Sequence, residues 1–477
     1  MNAFIQDMVK IIKGLTKSNI YLVGAFPMNL LLKRDTYEVE ILLQDDVRRM
    51  ALDFTNLSKG ILITADHNKA VVEISKEGKN LNLIFYCIQD TSIEKFLNKR
   101  DFTIEALAIK IDEDGYIHNQ IIDFHKGTED IKKKLIRFIE PDTLSIKPVN
   151  MLKAVRLMAE LEFNLEEHTA GRIIRNAQIL EKVAPEEISY ELFKILKCKR
   201  THYYFNIMDK QLHILNIIFP EIEPMKEVGK CKYHVVDSWA HSLYTLDVVE
   251  SIIYADGYFE NYLRRAYEEH IIQILCHGHR RLEIIKLAAL FHDIGKPAAK
   301  KIDESGRVRF KGHEIAGMEI VEQIAERLKF CDKEKHFLCK LVKEHMWPLT
   351  LYRKNDVSGR AIYDLFRNFG EDTLDVLLVS LADIIATRKL LNPHEEMGMY
   401  KIHIEYLANN YLTRFKNIID ISHVIEENDI INNFAITDRH DIQYFIETVR
   451  KAIFFGKIPP EKKRAIKFLR EEIMTAL

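Results

Sequence analysis

Residues Leu282–Lys300 read LEIIKLAALFHDIGKPAAK. Ile284, Ile285, Leu287, Ala288, Leu290 and Phe291 leave almost no polar face, so the segment reads as a helix buried on all sides and ended by Gly295 and Pro297. His292 and Asp293, both metal-ligand types, stand side by side where it stops. Neighbouring segments repeat the pattern. His241 lies in DSWAHSLYTLDVVE among core-facing Leu243, Leu246, Val248 and Val249, His313 opens a helix after Gly312 in RFKGHEIAGMEIVEQIA, and His345 precedes Pro348 in LVKEHMWPL. Asp383 interrupts VLLVSLADIIA, where a buried carboxylate without a partner is costly, so a cationic partner is expected.

The helical spacing extends in both directions from this segment. From about Ile131 onward apolar residues recur at helical intervals, as in MLKAVRLMAELEF, ISYELFKILK and DTLDVLLVSLADIIA, and only the turn KKIDESGRVRF interrupts. Before that point the pattern changes. NIYLVGA, YEVEILLQ, GILITA, KAVVEI, LNLIFYCI, IEALAIKI and QIIDF are β-branched or alternate apolar with polar, and predict strands confined to the first 125 residues or so. The fold class is therefore α+β, a mixed α/β head followed by a nearly all-helical remainder. A length of 477 residues suits about three domains.

Lys+Arg at 69 against Asp+Glu at 71 leaves a net charge of -2, which excludes a strongly basic nucleic-acid binder; any RNA contact must be local. The final 21 residues hold such a local excess, six Lys/Arg against three Glu. No run approaches the roughly 18 apolar residues of a membrane span, and Asp7, Lys10 and Lys13 break the N-terminal segment, so a cytoplasmic protein without a membrane partner is expected. The six cysteines, Cys87, Cys198, Cys231, Cys276, Cys331 and Cys339, form no CxxC pair, which argues against a zinc ribbon or disulfide framework. His277 and His279, beside Cys276 in ILCHGHRR, read as a solvated turn flanked by Arg280 and Arg281. Composition leaves the oligomeric state open.

Four histidines and two aspartates spread over separate helices supply imidazole nitrogens and carboxylate oxygens, a mix suited to Mn, Ni, Co, Fe, Zn or Mg, and six ligands suffice for two ions. The order His…His-Asp…His…His…Asp, with HDIGKP and FKGHE, resembles the HD superfamily of metal-dependent phosphohydrolases. That resemblance implies one metal on His241, His292, Asp293 and Asp383, with Asp293 bridging, and a second on His313 and His345. It makes Asp293 and Lys296 the catalytic pair, with Lys296 facing a substrate phosphate.

Read from the N-terminus, YLVGAFPMNLLLKRDTYEVEILL, NKRDFTIEALAIKI, IIDFHKGTEDIKKKLIRFI and KPVNMLKAVRLMAELEF resemble the bacterial class II tRNA nucleotidyltransferase and poly(A) polymerase family. The resemblance implies a nucleotidyltransferase-like head (1–125), a helical neck (126–228), an HD domain (229–392) and a helical tail (393–477). Departures fall on the chemistry that the family needs. Glu38 and Glu40 stand where two aspartates hold Mg²⁺, each longer by one methylene; Gly24-Ala25-Phe26-Pro27-Met28-Asn29 replaces a Gly-Gly-x-x-Arg-Asp loop; Lys147 and Asn150 replace the pair that reads the incoming base; only Arg100 and Asp101 of KRDFTI stay close. Gly24, Glu38, Glu40, Arg100 and Asp101 are thus the candidate nucleotide-binding residues. The expectation is a phosphohydrolase acting on a nucleotide or RNA-derived phosphoester through two divalent ions, with a silent head and weak tRNA or RNA binding. The alternatives are a working nucleotidyltransferase and a non-catalytic RNA-binding protein.

Overall fold

The alternating segments of the head form one mixed sheet: β1 (Tyr21–Val23), β2 (Glu38–Leu43), β3 (Ile61–Ala65), β4 (Lys69–Lys76), β5 (Lys79–Cys87), β6 (Leu107–Ile111) and β7 (Ile117–Asp123). Their order is β3-β4-β5-β2-β1-β6-β7. β2 and β5 run parallel and the other pairs antiparallel. All seven fall on the expected segments. The computed structural model describes residues 2–76, 79–88, 92–140, 143–229, 236–255, 257–391 and 394–476; Cys231 and residue 392, the expected end of the HD region, lie outside them.

Pleating sends alternate side chains of β2 to opposite faces. Val39, Ile41 and Leu43 enter a core shared with Ile5, Val9, Ile12, Met50 and Phe54 from the helices Asn2–Leu15 and Val47–Ser58. Leu42 faces the other way, with Val23, Leu97 and Ala108. Glu38 and Glu40 share that second face, away from the two helices. Gly24, in the left-handed region at φ 70°, turns the chain from β1 into α1 (Ala25–Leu31).

The chain divides into two compact units, Met1–Ala184 with Gln211–Ile217, and Pro185–Lys210 with Ile218–Leu477. The segment expected as a neck contributes to both. The second unit is helical, and five of its helices carry the His/Asp set: α2 (Ser238–Tyr254), α3 (Arg281–Phe291), α4 (His313–Arg327), α5 (Asp332–Glu344) and α6 (Thr373–Leu391). α2 packs on α3 and α6, α5 on α3 and α4. Every side chain from Glu283 to Phe291 is buried, as an all-apolar helix requires, including Lys286. Its ammonium donates to the Leu196 and Cys198 carbonyls at 2.9 and 2.7 Å and to Thr201 Oγ1 at 2.9 Å, and pairs with Glu250 at 3.0 Å. Short strand pairs at Leu135–Ile136 with Asn164–Leu165, and at Ile274–Cys276 with His279–Arg280, interrupt the expected run of helix. Among the described residues no helix is long and apolar enough to cross a membrane.

Candidate functional site

In the head, Glu40 lies opposite Val23 on β1 and Ile84 on β5, and Glu38 opposite Asn82. The neighbouring strands therefore add no carboxylate, and among the described residues neither glutamate belongs to a group of three or more metal-ligating side chains. The Glu40 carboxylate fills the place a Gly24 side chain would take: a Cβ there would lie 2.2 Å from Glu40 Oε1. Glycine is needed at 24 for this approach as well as for its backbone conformation. Arg100 holds both oxygens of Glu40, through Nη1 at 3.4 Å and Nη2 more closely, and its guanidinium lies over the Phe96 ring at 4.9 Å. Asp101 pairs with Lys147 and Lys153, both at 3.4 Å, and Lys153 also reaches Glu105 at 2.6 Å. Burial works against the charge on Asp101, but Lys153 and Lys147 outweigh it and hold the carboxyl below its usual range.

In the second unit the six expected residues meet. His241, His292 and Asp383 form one group, and Asp293, His313 and His345 another, with the ligand atoms of each lying within 4.8 Å of one another. His241 Nε2 is 2.9 Å from Asp383 Oδ1, so that aspartate is not left unpartnered. Asp293 sits between the groups: Oδ2 faces His292 at 3.3 Å and His241 at 3.8 Å, while Oδ1 faces His313 at 3.4 Å. Lys296 is 2.5 Å from Asp293 Oδ2. An open cavity of about 640 Å³ borders the cluster, lined by Asp293, Lys296, His313, Arg353 and Asp383 among others.

One local device orients three of the rings. His292 and His345 cap the C-terminal ends of α3 and α5, and His313 opens α4; each Nδ1 lies 2.7–2.9 Å from the carbonyl three residues back, of Ala289, Val342 and Phe310 respectively for His292, His345 and His313. A carbonyl only accepts, so Nδ1 carries a hydrogen in each ring and Nε2 is the atom turned toward the cluster. All three Nε2 atoms are buried without a hydrogen-bond partner. Burial opposes the imidazolium of His292, yet Asp293 and Asp383 push it up to about 10; burial, then His292 and His313, push His345 down to about 3. Both aspartates are held well below the carboxylate range, against burial, by Lys296 and His292 at Asp293 and by His241 and His292 at Asp383. Gly295 and Gly317 allow the close packing behind the site, since a Cβ on Gly295 would lie 2.1 Å from the His313 carbonyl oxygen.

His279 departs from the solvated turn expected of it: its ring stacks on Phe193 at 3.7 Å, and Nδ1 bonds Glu334 at 2.7 Å. The buried Lys286–Glu250 pair was not anticipated either. The only hint in the sequence is a lysine inside an otherwise apolar helix.

These features define a nucleotidyltransferase-type head joined to an HD domain. Three family models match in that order: the poly A polymerase head domain over residues 20–137, the probable RNA and SrmB-binding site of polymerase A over 162–226, and the HD domain over 240–388. An A-adding tRNA nucleotidyltransferase of Deinococcus radiodurans is 25% identical over 293 residues, 60% of this chain, and the match spans 59% of that relative's length. The CCA-adding enzyme of Thermotoga maritima, solved in complex with tRNA, superposes with a TM-score of 0.59 at 17% identity, covering 98% of this chain and 95% of that one. A CCA-adding enzyme solved with CTP gives a TM-score of 0.61 at 17% identity, covering 100% and 94%. At such identities the solved structures establish the fold. The chain thus carries these three domains in this order and resembles class II tRNA nucleotidyltransferases with an HD domain.

These matches correct the functional expectation. The relatives named above by activity are nucleotidyltransferases and favour that activity over hydrolysis, so the phosphohydrolase reading with a silent head is overturned. The physical error lay in two steps. A set of ion ligands says what the HD domain can hold and not which reaction the chain performs. The penalty given to one methylene ignored that positions 38 and 40 of a strand point to the same side whatever their length, and that the extra torsion lets a carboxylate adjust.

Proposed function

We propose that the chain adds nucleotides to the 3′ end of RNA, with tRNA as the acceptor and ATP or CTP as the donor. The observation that carries this reading is the pair of carboxylates, Glu38 and Glu40, on the open face of β2 against the Gly24 turn. Two hard oxygen donors on one strand face suit divalent ions of the Mg²⁺ kind. Bound there, such ions would supply charge neutralisation for the triphosphate and acidify the attacking hydroxyl. Glu38 and Glu40 would hold them. Arg100 pairs with Glu40, and where that carboxylate holds a cation the guanidinium would be available to phosphate oxygens. Asp101, tied by Lys147 and Lys153, fixes the loop that carries Arg100.

In the HD domain, His241, His292 and Asp383 on one side and Asp293, His313 and His345 on the other fit divalent transition ions, because the Nε2 atoms of His292, His313 and His345 are buried without a hydrogen-bond partner beside the carboxylates. Their role in this reading is to tie α2 to α6 together. Lys296 screens the charge of Asp293.

The test is transfer of labelled ATP and CTP to tRNA lacking its 3′ end, in Mg²⁺. Incorporation lost on Glu38→Ala or Glu40→Ala and kept on Asp293→Asn is expected. No incorporation by the unmodified chain overturns the reading.

A further inference from the structure

A second cluster stands apart from the His/Asp set. The two-residue turn between the strands Ile274–Cys276 and His279–Arg280 is left-handed at both positions, His277 at φ 47° and Gly278 at φ 77°. A non-glycine residue rarely adopts this conformation. Here it folds the imidazole back onto the preceding residue, with His277 Nδ1 3.2 Å from Cys276 Sγ. Cys331, the residue that caps the start of α5, and Glu334 one turn on bring a thiol and a carboxylate to the same point. The four ligand atoms of Cys276, His277, Cys331 and Glu334 lie within 4.8 Å of one another.

Glu334 is buried and held in place. One carboxylate oxygen accepts from His279 Nδ1 at 2.7 Å, the other from the Cys331 N–H at 3.0 Å, and His279 is itself clamped against Phe193. Ligating carboxylates are commonly oriented by hydrogen bonds of this kind.

We propose that Cys276, His277, Cys331 and Glu334 form a structural site for a thiophilic divalent ion of the zinc type. Two sulfurs, one nitrogen and one oxygen are a four-donor set for zinc, and the sulfurs discriminate against Mg²⁺ and Mn²⁺. On binding, both thiols give their protons to solvent. The site is separate from the His/Asp cluster, since α5 has Cys331 at one end and His345 at the other, about 20 Å away at 1.5 Å per residue. The ion would pin the hairpin that leads into α3, which ends on His292, to the start of α5, which ends on His345. The proposal does not depend on nucleotide transfer.

Cobalt(II) titration of the reduced full-length protein distinguishes the two clusters, because only thiolate ligands give a sulfur-to-cobalt charge-transfer absorption. The expected result is such a band saturating at one equivalent, lost on addition of zinc, and lost in Cys276→Ser and in Cys331→Ser while cobalt uptake by the His/Asp cluster remains. Absence of the band in the reduced wild type, or its persistence in both serine variants, overturns the proposal. Should a serine variant fail to fold, alkylation of the wild type decides: zinc is expected to protect two thiols, and equal labelling with and without zinc overturns the site.

Discussion

The head and the HD domain present two carboxylate-bearing sites built on opposite plans. In the HD domain six candidate ligands come from five helices or their ends, three of the four rings are aimed by backbone carbonyls, and their three Nε2 atoms are buried without hydrogen-bond partners. In the head, two glutamates share one strand face, one is already neutralised by Arg100, and the other is exposed. The more finished site lies in the domain whose family model names no reaction, while the sparser one lies in the domain whose family model is named for a polymerase. The difference follows from what each site must do. A site that holds ions for stability is best built in advance, because unsatisfied buried ligands drive uptake. A site that takes up and releases a nucleotide with its ions is better left open and internally compensated.

Glu40→Ala makes the sharpest break in this comparison. If the open site is the catalytic one, nucleotide incorporation into tRNA should fall by about 1,000-fold, in the range seen for removing one electrostatic stabiliser of a transition state, and Asp293→Asn should change it by less than about threefold. The reverse ranking in the incorporation assay would place the chemistry in the HD domain.

Next in size is the buried pair that supports α3. Burial opposes ionisation of Glu250, but His202, Lys286 and the Thr201 N–H outweigh it and lower the carboxyl from 4.5 to about 2. A depressed carboxyl contributes stability that is complete above its unfolded value and is lost as pH falls towards its folded one. The second unit should therefore lose about 3 kcal/mol between roughly pH 4.5 and pH 2. Glu250→Gln should lose a comparable amount already at neutral pH, by leaving Lys286 buried and uncompensated, and should flatten the acid limb. Denaturant titrations across pH check both. An unchanged acid limb in the variant would show that other carboxylates govern acid unfolding.

Chelation asks how far the HD cluster depends on ions. Stripping divalent ions should lower the melting temperature by roughly 5–10 °C, the shift for an ion present at about 100 times its Kd in a unit of this size, with recovery on adding Mn²⁺, Co²⁺ or Zn²⁺. In His292→Ala/His345→Ala the shift should shrink to within about 2 °C. A full shift in that variant would move the stabilising ion elsewhere, with the Cys276–Cys331 cluster the first alternative.

The smallest effect sharpens the picture of the head. Because Arg100 competes for Glu40, Arg100→Gln should tighten Mg²⁺ binding to the head by about five- to tenfold, as expected for a half-buried ion pair worth about 1 kcal/mol. Calorimetric titration reads this directly, and weaker binding in the variant would mean that Arg100 helps to form the ion site.

Much of both sites was readable beforehand because the signals are local. β-branched alternation marked all seven strands of the head, and histidines or aspartates in or beside apolar helices marked the six residues that the HD domain brings together. The contacts that crossed the sequence were not readable. Nothing near Glu40 announces Arg100, 60 residues on. Cys276 and Cys331 form no motif, and His279 looks solvated until Phe193 is laid against it.

The sequence by itself determined the fold class, the position of the strands, the helix that ends on His292 and Asp293, and the kinship with nucleotidyltransferases, because each depends on periodicity or on wording within a few turns of chain. Only the tertiary structure decided that Asp293 lies between two ligand groups, that Glu40 is neutralised by Arg100, and that a hairpin turn delivers His277 and Cys276 to the cap of a distant helix. Such facts depend on packing between elements far apart in sequence, where burial sets whether a polar side chain must find a partner and the fold alone sets which one it finds.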